Sequence, residues 1–264
     1  MKKLLTSIIA AMLAVATLFM FTGCQKVDDL KKVQDAGKII VGITDYAPMD
    51  YQDENGKWIG FDAELAEMFA AELGVTCEFF EIADWGAKAV ELQANQFDLI
   101  WNGMTATDKL AKEIDLSVAY AKNAQVLVIN KNATVPAKAD VKNMTISVES
   151  GSAGNTVAAE EIGVTNLNEA ASQMAALMEV AAGTSQGALI DLTMAESVIG
   201  KGQFADLKIA DGISYGEEVF AVGLRKNSNL TAKLNKFLKE KYADGTMTAL
   251  LEKYQVSLNA DALK

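Results

Sequence analysis

The sequence predicts an α/β fold built on largely parallel sheets. Three observations predict it. Short runs of branched residues alternate with segments whose apolar residues recur at helical spacing. Glycines such as Gly74 and Gly183 punctuate the ends of those segments. Only two prolines, Pro48 and Pro136, and no low-complexity linker interrupt the alternation. Strand–helix alternation favours parallel pairing, because a crossover helix is what joins parallel neighbours. Such sheets bind ligands beyond the carboxyl ends of their strands.

In order, residues 38–43 (KIIVGI) form a buried strand of branched residues. Leu65, Met68, Phe69 and Leu73 then lie on one helix face, and Gly74 stops that helix. A strand over 75–81, a helix over 87–94 and a strand over 97–101 follow. Residues 124–129 and 144–148 are further strands. Asn168 is expected to cap a helix carrying Met174, Leu177, Met178 and Ala181, closed at Gly183. Residues 188–190 make a strand that ends at Asp191. Leu230, Leu234, Phe237 and Leu238 form one late helix face, and Met247, Leu250, Leu251 and Tyr254 another.

The N-terminus carries a separate signal. Met1-Lys2-Lys3 precedes an uncharged stretch from Leu4 to Gly23. A basic start, an apolar run and a small-residue cleavage point make a secretory signal peptide over residues 1–23. A membrane span is the competing reading, since residues 4–21 could nearly cross a bilayer. Phe21-Thr22-Gly23-Cys24 favours the leader: it resembles a bacterial lipobox, in which a peptidase cuts before the cysteine and its thiol takes the lipid. Phe21 stands where such motifs usually carry Leu. Residues 24–35, polar and charged, then read as a tether between lipid and fold.

Composition excludes much. With Cys24 acylated, Cys77 is left without a disulfide partner, and its apolar setting makes it a packed strand residue rather than a nucleophile. The remaining chain of about 240 residues can bury enough surface without a covalent staple and allows one large domain or two lobes. Formal charge is −11, and −13 once residues 1–23 are removed. An acidic surface without a basic patch argues against nucleic acid. There is no histidine, which removes the usual general base near neutral pH and the commonest metal ligand. No cofactor is expected. Gly151-Ser-Ala-Gly154 lacks the Lys-Ser/Thr pair of a nucleotide loop, and no residues have metal-ligand spacing.

Several phrases resemble the polar amino-acid family of periplasmic binding proteins, family 3 of the bacterial extracellular solute-binding proteins. Val41-Gly-Ile-Thr-Asp-Tyr-Ala-Pro-Met49 is similar to its first strand and ligand loop, and Gly60-Phe-Asp-Ala-Glu-Leu-Ala66 to its helix start. Phe97-Asp-Leu-Ile-Trp-Asn-Gly-Met-Thr105 is similar to the strand that ends in its cleft, and Gly151-Ser-Ala-Gly154 to its second ligand turn. Gly223-Leu-Arg-Lys226 and Asp244-Gly-Thr246 match its C-terminal phrases. The likeness runs in order from Lys38 to Tyr254. It implies a type II fold of two α/β lobes joined by two crossover strands and closing as a hinge. Lobe 1 would comprise 36–121 and 217–264, and lobe 2 would comprise 122–216. The implied partners are a small amino acid or amine, the permease of an ABC-type importer and, through the lipid, the membrane; the protein would act as a monomer.

The resemblance also implies a site. Asp191 matches the family's ammonium acceptor; on its own residues the competing role is a helix N-cap for Leu192 onward, and the two roles can coexist. Tyr46 and Trp85 fall where the family sandwiches the ligand between ring faces, although aromatic residues more often pack in cores. Asn102 is expected to face the cleft by strand alternation. Gly103 and Thr105, with the turn at Ser152, would supply donors. Glu149 falls at a position that contacts the ligand side chain in relatives, and its bland reading is a solvated strand end. The family's carboxylate-gripping arginine is missing. Leu110 occupies its place, and Lys109 beside it is expected to face solvent. With Asp45, Glu149 and Asp191 inward and no arginine opposing them, the pocket would be anionic and aromatic. It would favour a cation, such as a basic amino acid or an amine without a carboxylate.

Two rivals remain open at this level. Cyclohexadienyl dehydratases resemble these proteins, so an enzyme on the same fold is one, and the lack of histidine and of an evident acid–base pair weighs against it. A ligand sensor acting through a membrane partner is the other, since Lys264 ends the chain with no signalling domain after it.

Overall fold

The computed structural model describes residues 28–264; the leader and Cys24 lie outside the described residues. Helix α1 (Asp29–Ala36) leads into β1 (Lys38–Ile43). A hairpin of β2 (Tyr51–Gln52) and β3 (Trp58–Ile59) precedes α2 (Phe61–Leu73), β4 (Thr76–Glu81), α3 (Lys88–Gln93), β5 (Leu99–Ile100), α4 (Asp108–Glu113) and β6 (Asp115–Leu116). The chain enters a second sheet through β7 (Ala121–Asn130). It continues as β8 (Thr145–Glu149), α5 (Ala153–Thr156), β9 (Asn166–Ala170), α6 (Gln173–Ala182), β10 (Gly187–Asp191) and α7 (Leu192–Val198). It returns along β11 (Leu207–Phe220) to β12 (Gly223–Leu224), α8 (Leu230–Ala243), α9 (Thr246–Tyr254) and α10 (Ala260–Leu263).

Two lobes result, each around a five-stranded sheet. The strand orders are β4-β1-β5-β12-β6 and β11-β7-β10-β8-β9. β1 pairs parallel with both β4 and β5, and β8 pairs parallel with β10 and β9. The expectation of largely parallel sheets needs correcting: β7 and β11 pair antiparallel, and β12 runs antiparallel to β5 and β6. These are the strands that carry the chain out to the second lobe and back, so their direction follows from the crossover. Backbone bonds from Tyr120 N–H to the Phe220 carbonyl (2.9 Å) and from Ser117 N–H to the Val222 carbonyl (2.9 Å) hold the two crossings side by side.

Local chemistry explains where the elements sit. The face of α2 that packs inward carries Phe61, Leu65 and Phe69, all fully buried. Its entry needs a glycine: Gly60 has φ +134°, and a Cβ there would lie 2.1 Å from the Met49 carbonyl oxygen. Asn168 does not cap α6. It lies in β9, and its amide donates to Glu179 Oε2 (3.3 Å) and Ser185 Oγ (3.0 Å). Ser172 is the cap, accepting from Ala175 N–H at 3.1 Å.

Residues 29–35, expected within a polar tether, instead belong to α1, a helix docked on the first lobe. Asp28 caps it, Val33 is buried beneath it, and Asp29 pairs with Arg225. Among the described residues no helix is long and apolar enough to cross a membrane.

Candidate functional site

The carboxyl ends of β1, β5, β8 and β10 converge between the lobes on a cavity of about 270 Å³, near the lower end of ligand-site volumes. Asp45, Tyr46, Trp85, Asn102, Gly103, Thr105, Glu149, Ser152 and Asp191 all line it. The lobes touch beside it. Gly151 (φ +68°) packs so closely on Gly86 that a Cβ on Gly151 would lie 2.5 Å from the Gly86 Cα.

Asp191 is the last residue of a strand buried along its whole length. It occupies the N-cap position of α7, yet its side chain caps nothing. The carboxylate accepts from Asn123 Nδ2 (2.6 Å), Gln125 Nε2 (2.5 Å) and Gln173 Nε2 (2.5 Å). Asn123 and Gln125 are alternate residues of β7 and so share one face. Gln173, first residue of α6, also accepts the Asp191 N–H at 2.9 Å. Burial raises the Asp191 pKa, and the three amides oppose that rise. The same two β7 amides reach Glu218 Oε1, at 2.8 and 2.5 Å. Glu218 is pushed up to about 7 by burial and then by Asp191.

Glu149 ends β8, only 4 % exposed. Burial, then Asp191, pushes it up to about 8, while Lys88 and Gln173 pull it back. No ion pair among the described residues involves Asp191, Glu149 or Glu218. The Tyr46 hydroxyl is buried near Asp191 without a hydrogen-bond partner in good geometry; burial and that carboxylate raise its pKa. The Tyr46 ring meets Phe220 edge-on, with centroids 6.4 Å apart.

Several expected contributors have other duties. Asn102 faces the cleft, but its amide is spent on local bonds. Its oxygen accepts from Thr44 N–H (3.0 Å) and Oγ (2.6 Å), and its nitrogen donates to the Thr44 carbonyl (3.0 Å) and Asp50 Oδ2 (2.7 Å). It holds the ligand loop after β1 in place. The Gly103 N–H, expected as a free donor, goes to the buried Asp62 at 2.7 Å. A side chain at Gly103 would strike the Tyr46 ring. Ser152 Oγ caps α5 by accepting from Asn155 N–H at 3.0 Å. Thr105 bridges to Phe220 at the crossover. Asp45 lies exposed at the rim rather than inward with the other two carboxylates, and partial burial and Glu81 raise its pKa. Leu110 lines the wall half-buried, and Lys109 stands exposed at the mouth.

The sequence reading missed Lys88. Its first turn of α3 follows Trp85 by three residues, which brings the side chain back over the indole with Nζ 4.6 Å from the ring centroid. The ammonium donates to the Trp85 carbonyl (3.0 Å) and, across the cleft, to the Gly151 carbonyl (3.4 Å). Burial lowers its pKa to about 8. Asn123, Gln125, Gln173 and Glu218 were missed too. Polar residues interrupting the apolar β7 were the available signal for the first two.

The sequence pattern of the bacterial extracellular solute-binding proteins, family 3, matches residues 39–257. The arginine-binding extracellular protein ArtP of Bacillus subtilis (strain 168) is 28 % identical over 259 residues, covering 96 % of this chain and 98 % of that protein. Among solved structures, a histidine-bound ABC uptake transporter substrate-binding protein from Streptococcus pneumoniae is 30 % identical, with a TM-score of 0.78; 87 % of this chain and 97 % of that one are covered. An ancestral amino acid-binding protein, a precursor of cyclohexadienyl dehydratase, is 27 % identical, with a TM-score of 0.78 and coverage of 86 % and 99 %. With a family match over most of its length and a two-lobed cleft at the strand ends, the chain belongs to the bacterial extracellular solute-binding proteins of family 3.

Proposed function

We propose that this protein captures an amino acid, basic or polar, for an ABC-type importer, and is held at the extracytoplasmic face of the membrane through a lipid on Cys24. One observation carries the reading. Asp191 is a buried, amide-braced carboxylate facing an inter-lobe cavity, and among the described residues no lysine or arginine pairs with it. A buried carboxylate lacking a cation is costly, and an arriving ammonium group relieves that cost. Tyr46 and Trp85 would flank the bound cation with ring faces. The names of relatives agree: ArtP is an arginine-binding protein, and the pneumococcal structure holds histidine.

Thermal-shift screening of the mature protein against amino acids and polyamines tests this. A specific binder raises the midpoint with the logarithm of ligand excess over its Kd. The enzyme reading gains its support from the ancestral dehydratase precursor among the structural neighbours. It wins if no amine shifts the midpoint while a prephenate-like acid is consumed. A sensor role would require that loss of the protein abolish a signalling response and leave amino-acid uptake intact.

A further inference from the structure

We propose that Lys88 receives the carboxylate of the solute, making the cleft a three-charge receptor for amino acids rather than for bare amines. The inference rests on the reading of Asp191 as the ammonium acceptor and adds the opposite pole. The family's arginine position is filled by Leu110, and Arg225, the only arginine in the chain, is buried in the first lobe beside Asp29 and Asp98. Of the two lysines that line the cavity, Lys109 is exposed at its mouth and Lys88 is 6 % exposed.

The groups that touch Lys88 favour a cation without cancelling its charge. An ammonium has three N–H donors. Two go to carbonyl oxygens, Trp85 and Gly151, and the indole face lies beneath. Carbonyls and a ring stabilise a cation but leave its charge uncancelled. Among the described residues the third donor has no acceptor and no carboxylate forms an ion pair with the nitrogen. Asp84, on the cleft's outer side, bonds Gly86 N–H instead, and Glu149 acts on Lys88 only through space.

The buried lining of the cavity therefore carries one ammonium, Lys88, and two acidic side chains, Asp191 and Glu149, none of them in an ion pair among the described residues, on walls that meet at Gly86 and Gly151. An α-amino acid presents an ammonium and a carboxylate close together, which Asp191 and Lys88 complement. A second cation on its side chain would complement Glu149. A basic amino acid satisfies all three charges. A diamine leaves Lys88 unpaired and facing a like charge.

Calorimetric titration with matched pairs tests this: L-arginine and agmatine, L-lysine and cadaverine, L-histidine and histamine. The wild-type protein should bind an amino acid more tightly than its decarboxylated partner. Lys88→Met should weaken the amino acid by about 10–100-fold, the worth of a charge-assisted hydrogen bond, and leave the amine unchanged or tighter. Lys88→Arg should restore most of the preference. Equal loss for both members of a pair, or unchanged amino-acid affinity in Lys88→Met, overturns the role. If the Met variant fails to fold, Lys88→Gln, which keeps a donor toward the two carbonyls but carries no charge, decides at pH 7: the amino acid's advantage over its amine should shrink, and an unchanged advantage overturns the role. Failure of every pair to bind the wild type would instead sink the function proposed above.

Discussion

Two clusters of buried charge, one inside the first lobe and one at the cleft, are finished differently. Behind the first sheet, Arg225 pairs with Asp29 at 2.7 Å and Asp98 at 2.9 Å, and donates to the Phe97 carbonyl at 2.8 Å. Lys32 adds a second cation to Asp98 at 2.8 Å. These partners lower the Asp98 pKa despite burial. In and beside the cleft, Asp191, Glu149 and Glu218 are buried too, but among the described residues none of them forms an ion pair, and their pKa values rise. The first cluster closes on itself and ties α1 and the segment after β12 to the strand β5. The second lacks counter-charges, and a solute can supply them.

The largest effect should come from breaking the closed cluster. Arg225→Met strands Asp29 without a cation, and removing one partner of a buried ion pair costs about 3–5 kcal/mol. Chemical denaturation should show that loss, while calorimetry finds amino-acid affinity unchanged for the protein that remains folded. The double variant Arg225→Met with Asp29→Leu should recover part of the loss, because no uncompensated charge is left. A large drop in affinity with little change in stability would make this cluster part of the site.

Asp191→Asn is the mirror case. Removing the carboxylate that meets a desolvated ammonium should cost about 2–5 kcal/mol of binding. Ligand-free stability should fall by about 1–3 kcal/mol, since the amide keeps the oxygen that Asn123 and Gln125 approach but turns its NH2 toward the Gln173 Nε2 donor. Unchanged affinity would remove Asp191 from the binding role.

Titration separates the clusters next. Glu149 has an ordinary value of 4.5 and is held at about 8 when folded. Below 4.5 it is protonated in both states, so its contribution is complete there. Between 4.5 and 8 the unfolded chain ionises first, and stability falls as pH rises. Lys88, lowered from 10.5 to about 8, behaves oppositely: above 10.5 it is neutral in both states, and between 8 and 10.5 stability returns as pH rises. The cleft's contribution is therefore least near pH 8. Asp98, with its lowered pKa, instead stabilises above its ordinary value and loses that contribution in acid. Thermal midpoints of the ligand-free protein should fall less steeply from pH 5 to 8 in Glu149→Gln than in wild type. Parallel curves would mean that Glu149 does not hold its proton.

Most of the fold was legible because its signals are local. The α2 face, the Gly74 and Gly183 stops and the branched β1 run each follow from residues within one turn or one strand. β11 was not legible: glycines at 212 and 216 with positive φ and two register shifts break its alternation, and only pairing with β7 makes it a strand. α1 was read as tether because its charges, Asp29 above all, look solvated until a partner 196 residues away is seen. The site divides the same way. Residues within recognisable phrases reached the cavity, while Asn123, Gln125 and Gln173 come from segments that only the packing of the second lobe brings to Asp191, and Lys88 meets Gly151 only where the two lobes touch.

The smallest effect tests how each cluster holds its cation. Arg225 is held by carboxylates, whereas Lys88 is held by two carbonyls and the Trp85 ring. Trp85→Leu keeps apolar bulk and the backbone carbonyl while removing the ring quadrupole, worth about 0.5–2 kcal/mol to a cation. Lys88 should then lose its proton at lower pH than in wild type. Amino-acid affinity at neutral pH should weaken by roughly 3–10-fold, with a smaller loss at pH 6, where Lys88 stays charged. A Trp85→Leu protein with wild-type affinity at both pH values would make the indole a packing residue, and the carbonyls alone would then hold the cation.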